Sequence, residues 1–106
     1  MRSVVVLPTY NEAENVGLLL RAIRAAAPHT DVLVVDDNSP DGTGRVAEDV
    51  GAEVGGVDVL HRAGKDGLGS AYREGFARVL GAGYDVVVSM DADFSHDPER
   101  IPEFLA

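Results

Sequence analysis

Two aspartates near the end of the chain have a type and spacing that suit a metal ion. Asp91 and Asp93 directly follow the apolar run Val86–Met90. Side chains two residues apart on an extended backbone point the same way, so both carboxylates would leave a strand together. Two carboxylates facing one point repel each other unless a cation lies between them, and hard divalent cations prefer oxygen ligands, phosphates included. The pair therefore predicts a Mg2+ or Mn2+ site.

Two further polar segments follow apolar runs, one starting at Pro8 and the other at Asp36. Tyr10 could stack on or border a nucleobase. Glu12, together with Asp36 or Asp37, could accept hydrogen bonds from base N–H groups or ribose hydroxyls. The polar stretch after Asp37 could equally be only a turn, because Asn, Ser, Pro, Asp and Gly are all turn residues.

A glycine-rich segment precedes the third predicted helix. Residues 62–69 contain the cations Arg62 and Lys65 and three glycines, among them Gly69. Such a composition lets a backbone approach a phosphate closely and offers helix N–H groups to an anion, so we expect Lys65 and Gly69 to contact a diphosphate. The segment matches neither the P-loop nor the dinucleotide fingerprint, and its glycines could serve backbone geometry alone.

The elements that must position these residues alternate between strands and helices. Apolar runs predict strands at Ser3–Leu7, Val32–Val35, Val57–Leu60 and Val86–Met90. Helical spacing predicts a first helix capped by Asn11, a second ended by Gly51, a third closed by Gly81 or Gly83, and a fourth that starts at Asp97. This order favours an α/β fold, a mostly parallel, Rossmann-like sheet with helices on both faces. Ligands of such sheets bind beyond the carboxyl ends of the strands. The segments that start at Pro8, Asp36 and Asp91 all fall there.

Composition narrows the class of protein. The chain has 106 residues, enough for one domain, and carries 9 Lys and Arg against 18 Asp and Glu. This acidic balance argues against a nucleic-acid partner, since such surfaces are normally basic. The lack of cysteine excludes disulfides, thiolate metal sites and a cysteine nucleophile. No segment approaches the ~18 apolar residues of a membrane span. We therefore expect a soluble chain, and the lack of cysteine fits a reducing compartment.

The motifs together resemble the family-2 glycosyltransferases of GT-A fold, most strongly the dolichol-phosphate (polyprenol-phosphate) mannose synthases. The resemblance covers nearly the whole chain, in the expected order. The matching stretches are 8–15, 36–43, 67–72 with Gly75 and Phe76, and 90–98.

The resemblance implies a site and a reaction. Pro8, Tyr10, Glu12 and Asp37 would line the guanine and ribose pocket, and the two aspartates of the 91–93 motif would hold Mg2+ or Mn2+ against the donor diphosphate. Such enzymes move mannose from GDP-mannose to a polyprenyl phosphate, with inversion, at the cytosolic face of a membrane. Peripheral membrane association of the full-length protein and a homo-oligomer are compatible with this. Because family members are longer, residues 1–106 are expected to be the N-terminal, donor-binding half.

Three alternatives stay open on the sequence. The donor could be a UDP-sugar, or the chain could bind a donor without catalysis. The Asp-x-Asp pattern also resembles the haloacid-dehalogenase phosphatases, whose first aspartate is a nucleophile. That pattern belongs to the first core strand there, whereas Asp91 follows the fourth predicted strand, and Ser95 holds a position that is usually Thr or Val.

Overall fold

Four strands alternate with three helices along the part of the chain that the structure describes. The computed structural model describes residues 2–63 and 68–91, together with Pro98. Its elements, in chain order, are β1 (Ser3–Thr9), α1 (Ala13–Ala26), β2 (Thr30–Asp36), α2 (Thr43–Val54), β3 (Val57–His61), α3 (Leu68–Gly81) and β4 (Val86–Ser89).

The strands form one parallel sheet in the order β3-β2-β1-β4. β1 pairs with β2 along its whole length, and with β4 only as far as the pair Val6 and Ser89. Because all four strands run the same way, their carboxyl ends meet at one edge of the sheet. The predicted α/β class and strand order along the chain are confirmed.

Helices cover both faces of the sheet, which explains the continuous apolar runs of β1 and β2. On one face, strand side chains pack against α1 and α2; on the other, the alternating strand side chains pack against α3. From β1 and β2, the residues of the first face are Val5, Leu7, Val32 and Val34. Those of the second face are Val4, Val6, Leu33 and Val35. All eight are at most 3% exposed, so the two central strands form the core of the described fold.

Two predicted helix boundaries are wrong. Asn11 does not cap α1: it has a left-handed backbone with φ 55°, and Glu12 takes the cap position instead. Gly51 does not end α2, which continues to Val54. A Cβ on Gly51 would lie 3.0 Å from Cβ of Val57, so this glycine allows α2 to pack closely on β3. The predicted fourth helix lies outside the described residues.

Within residues 2–63 and 68–91, none of the helices is both long enough and apolar enough to cross a bilayer.

Candidate functional site

Three of the predicted motifs meet at the carboxyl edge of the sheet. Tyr10 follows β1, Asp37 follows β2 and Asp91 lies two residues beyond β4. β1 lies between β2 and β4, so the loop that carries Tyr10 has on each side the segment after a strand that carries an aspartate, Asp37 or Asp91. The parallel topology thus produces the juxtaposition that the sequence predicts.

The end of β1 and the residues that follow it combine a buried proline with an exposed tyrosine. Pro8 is buried and lies beyond the point where β4 stops pairing with β1. Tyr10 is 37% exposed. Glu12 is half-buried at the start of α1, and its carboxylate accepts a hydrogen bond from the Asn15 side chain at 3.5 Å. Their contact with a nucleotide stays a prediction.

The Asp36 carboxylate connects two segments of the chain through hydrogen bonds. Its buried carboxylate accepts hydrogen bonds from the Thr9 hydroxyl at 2.7 Å, the Ser39 hydroxyl at 2.6 Å and the Ser39 backbone N–H at 3.0 Å. These bonds link the end of β1 to the turn after β2. Whether Asp36 also contacts a ligand stays a prediction, but its described bonds give it a positioning role.

Asp37 forms a buried ion pair with Arg62. A guanidinium N–H of Arg62 donates to Asp37 Oδ1 at 2.6 Å, and a second donates to the Ser70 hydroxyl at 2.6 Å. Nε of Arg62 lies 3.4 Å from a Glu74 carboxylate oxygen. The sequence grouped Arg62 with Lys65 as a cation of a phosphate-binding segment. Arg62 instead joins the loop after β2 to the first turns of α3.

Tyr72 connects α3 to the predicted metal ligand Asp91. Its hydroxyl donates to Asp91 Oδ1 at 3.0 Å, and its ring stacks on Phe76 with centroids 5.7 Å apart. Burial, followed by the hydrogen bond and charge of Asp91, raises the pKa of Tyr72 to about 12. The phenol therefore stays a proton donor to this carboxylate at neutral pH.

The carboxylate chemistry at the end of β4 fits a hard cation. Asp91 is half-buried and has one oxygen oriented by a hydroxyl donor, an arrangement that commonly orients metal ligands. Its predicted partner Asp93 lies outside the described residues, as does Lys65. Among the residues that are described, no three His, Cys, Asp or Glu side chains gather as a metal site. Gly69 is described, exposed and in the first turn of α3.

Sequence reasoning missed several side chains that fix the geometry of this edge. They are hydroxyl and carboxyl residues whose partners are distant in sequence: Thr9, Ser39, Asp41, Thr43 and Tyr72. Thr43 is fully buried although it is polar and lies at a helix start. The sequence signal for such residues is a hydroxyl or carboxyl side chain near the end of a strand. It does not identify the partner, because the partner depends on the order of the strands in the sheet.

Comparison with known sequences identifies the chain's relatives. Residues 4–106 match the glycosyl transferase family 2. The chain is 56% identical over 105 residues to an undecaprenyl-phosphate mannosyltransferase of Micrococcus luteus, covering 99% of this chain and 43% of that protein. It is 49% identical over 105 residues to a polyprenol monophosphomannose synthase of Mycolicibacterium smegmatis, covering 98% and 40%. The chain thus spans about two-fifths of the length of these relatives.

Solved structures support the fold. The mannosyltransferase PcManGT from Pyrobaculum calidifontis, in complex with GDP-Man and Mn2+, superposes with a TM-score of 0.75 at 27% identity, covering 87% of this chain and 27% of that one. S. aureus TarS 1-349 in complex with UDP gives a TM-score of 0.82 at 23% identity, covering 99% and 31%. The predicted GT-A fold is confirmed, with the described residues matching part of each neighbour. The chain belongs to glycosyl transferase family 2.

Proposed function

We propose that residues 1–106 are the donor-binding part of an inverting, metal-assisted mannosyltransferase that moves mannose from GDP-mannose to a polyprenyl phosphate. The observation that carries the proposal is the position of Asp91, fixed by Tyr72, at the same sheet edge as the Tyr10 loop and Asp37. Two relatives named for mannosyl transfer to polyprenyl carriers, at 56% and 49% identity, support the sugar and the acceptor.

The donor nucleotide is assigned to the loops after β1 and β2. Tyr10 would border the base, and Glu12 and Asp37 would accept hydrogen bonds from the base and ribose. Arg62 holds the Asp37 carboxylate in place through its 2.6 Å bond, so that acceptor is oriented before a nucleotide arrives. Lys65 and Gly69 would contact the diphosphate next to the start of α3.

Asp91 and Asp93 would hold Mg2+ or Mn2+, which supplies positive charge beside the diphosphate leaving group. An oxygen of the acceptor phosphate attacks the anomeric carbon while the bond to the diphosphate oxygen breaks, and GDP leaves with the electron pair. A phosphate monoester has a second pKa near ~6 and is already largely ionised at neutral pH. No side chain of this chain is therefore needed as a general base, and none is assigned that role.

Acceptor binding and membrane association are proposed for the full-length protein. A polyprenyl phosphate is held in a bilayer, so the reaction would take place at the cytosolic face of a membrane with peripheral association. The rest of the acceptor site would come from residues beyond this chain, since the relatives are more than twice as long.

Donor choice provides the test of this proposal. Calorimetric titration of the protein with GDP-mannose and with UDP-glucose, each with Mn2+, measures the two affinities directly. We expect GDP-mannose to bind more tightly, and mannose from labelled GDP-mannose to appear on polyprenyl phosphate when the full-length enzyme is assayed. Equal or tighter binding of UDP-glucose would contradict the proposed donor.

A further inference from the structure

The loop between β2 and α2 supplies side-chain acceptors to three consecutive backbone N–H groups of another loop. The Asn11 N–H donates to Ser39 Oγ at 3.0 Å, and the Glu12 N–H donates to Thr43 Oγ1 at 2.9 Å. The Ala13 N–H donates to an oxygen of the Asp41 carboxylate at 3.1 Å. We call this set of three bonds the interlock.

The interlock satisfies backbone groups that α1 leaves without helical partners. The first N–H groups of any helix have no carbonyl acceptor within the helix and need one from elsewhere. Glu12, at the cap position of α1, makes no side-chain cap bond. The cap comes instead from residues 28 to 31 positions away in sequence. The Asp41 carboxylate thus accepts the Ala13 N–H at the start of α1.

The three acceptor side chains are themselves held in place. Oδ1 of Asp41 accepts from the backbone N–H of Thr43 at 3.0 Å and from the Thr43 hydroxyl. The Ser39 hydroxyl donates to Asp36 Oδ1 at 2.6 Å, and the same oxygen accepts from Thr9 at 2.7 Å. The network therefore closes back onto β1 and fixes the interlock from both loops.

The segment that the interlock holds has an unusual backbone. Asn11 lies in the left-handed region with φ 55°, which is uncommon outside glycine. Such conformations persist where the surroundings determine them, and they occur often at ligand-binding sites. The bond from the Asn11 N–H to Ser39 lies at this residue. Tyr10 and Glu12, the neighbours on each side, are the residues assigned to the nucleotide.

We infer that Ser39, Asp41 and Thr43 are positioning residues that hold the Tyr10–Glu12 segment in its nucleotide-binding conformation before the donor arrives. The inference rests on the proposed function, since it assigns the purpose of the interlock to nucleotide binding. Ordering a loop in advance improves affinity by removing the cost of ordering it on binding. None of the three side chains needs to touch the nucleotide for this effect.

Thr43→Val removes the hydroxyl with little change of shape. Thr43→Ser keeps the hydroxyl and removes the methyl group. The matched control is Thr30→Val, which removes another buried threonine hydroxyl, bonded to Ser3 at 2.9 Å at the opposite edge of the sheet. The first readout is amide hydrogen exchange at residues 11–13 without ligand. The second is GDP affinity by calorimetry.

We expect Thr43→Val to speed exchange at the Glu12 amide and to weaken GDP binding about 10-fold, the size of one lost hydrogen bond. Thr43→Ser should retain GDP affinity, and Thr30→Val should leave both readouts unchanged. If Thr43→Val does not fold, Asp41→Asn on the exposed loop tests the Ala13 bond of the interlock, with faster exchange at Ala13 and weaker GDP binding expected.

Two results would overturn the inference. One is faster exchange at residues 11–13 with unchanged GDP affinity, which would make the interlock purely structural. The other is an equal loss of affinity in Thr43→Val and Thr30→Val, which would reflect general stability. Failure of the proposed function is distinguishable, because wild-type protein would then bind GDP no more tightly than UDP, while the exchange readout still reports the interlock.

Discussion

The guanidinium of Arg62 lies 2.6 Å from the carboxylate of Asp37, and the two side chains are only 5% and 7% exposed. Arg62 also donates to Ser70 at 2.6 Å. One buried cation thus fixes both the acid that follows β2 and the start of α3. Two parts of the candidate site that are distant in sequence are held by the same side chain.

Loss of this cation should strongly destabilise the fold. Arg62→Met leaves the Asp37 carboxylate buried without its partner, which typically costs about 3–5 kcal/mol of unfolding free energy. Urea denaturation measures the loss. The control is Arg21→Met, which removes an exposed pair with Glu53 of the same kind, at 2.7 Å. Exposed pairs contribute about 0–1 kcal/mol. Similar losses in both variants would contradict the assigned importance of the buried pair.

The Tyr72 hydroxyl should strengthen Mn2+ binding at the proposed metal site. Groups that orient a metal ligand typically change metal affinity by about 10–100-fold when removed, so Tyr72→Phe should weaken Mn2+ binding about 10-fold. Electron paramagnetic resonance of free Mn2+ measures this affinity. Tyr84→Phe is the control, since it loses a tyrosine–aspartate bond of 2.6 Å, to Asp31, away from the site. Equal Mn2+ affinity in the two variants would argue against a positioning role for Tyr72.

A side chain at position 75, which is Gly75, should destabilise the fold. A Cβ there would lie 2.8 Å from Val6 Cγ1 and 3.0 Å from Val35 Cγ2, in the interface between α3 and the sheet. Overpacking of this kind costs about 1–3 kcal/mol, so Gly75→Ala should lower the midpoint of thermal unfolding. At Gly81, also in α3, a Cβ meets nothing within 4 Å. Gly81→Ala should be neutral or stabilising, and a similar fall in both variants would refute the packing argument.

The interlock should weaken in acid. The hydrogen bond from the Thr43 side chain, outweighing desolvation, lowers the pKa of Asp41 in the folded protein. A lowered carboxyl pKa stabilises the fold above the unfolded value, near ~3.9, and this contribution is lost as pH falls through the folded value. The difference in unfolding free energy between wild type and Asp41→Ala should therefore shrink as the pH falls below about 4. A difference that stays constant from neutral to acidic pH would contradict this.

Patterns local in sequence predicted the architecture well. Continuous apolar runs predicted the strands, because neighbouring residues such as Val5 and Val6 pack against different helical layers. The aspartates and Tyr10 were placed at one edge because parallel strands end together. Helix ends were harder to predict. Asn11 is a good cap by type, but its left-handed backbone moved the cap to Glu12.

The pairings within the site could not be predicted from the sequence. Arg62 was grouped with Lys65 as a cation of the glycine-rich segment, whereas in the structure it pairs with a buried carboxylate 25 positions away in sequence. Thr43 and Tyr72 find partners 31 and 19 positions away. Such contacts depend on which strands become neighbours and how close each loop comes to the next. Residue type alone specifies neither the strand order nor the distance between loops.

The central claim is that Asp91 and Asp93 hold a divalent cation against the diphosphate of GDP-mannose. Calorimetric titration with GDP-mannose, with Mn2+ and with chelator, tests it on wild type, Asp91→Ala and Asp93→Ala. The account predicts tight binding only by wild type with Mn2+, and greatly weakened, metal-independent binding by both variants. Wild-type affinity that is unchanged by chelator, or by Asp93→Ala, would contradict it.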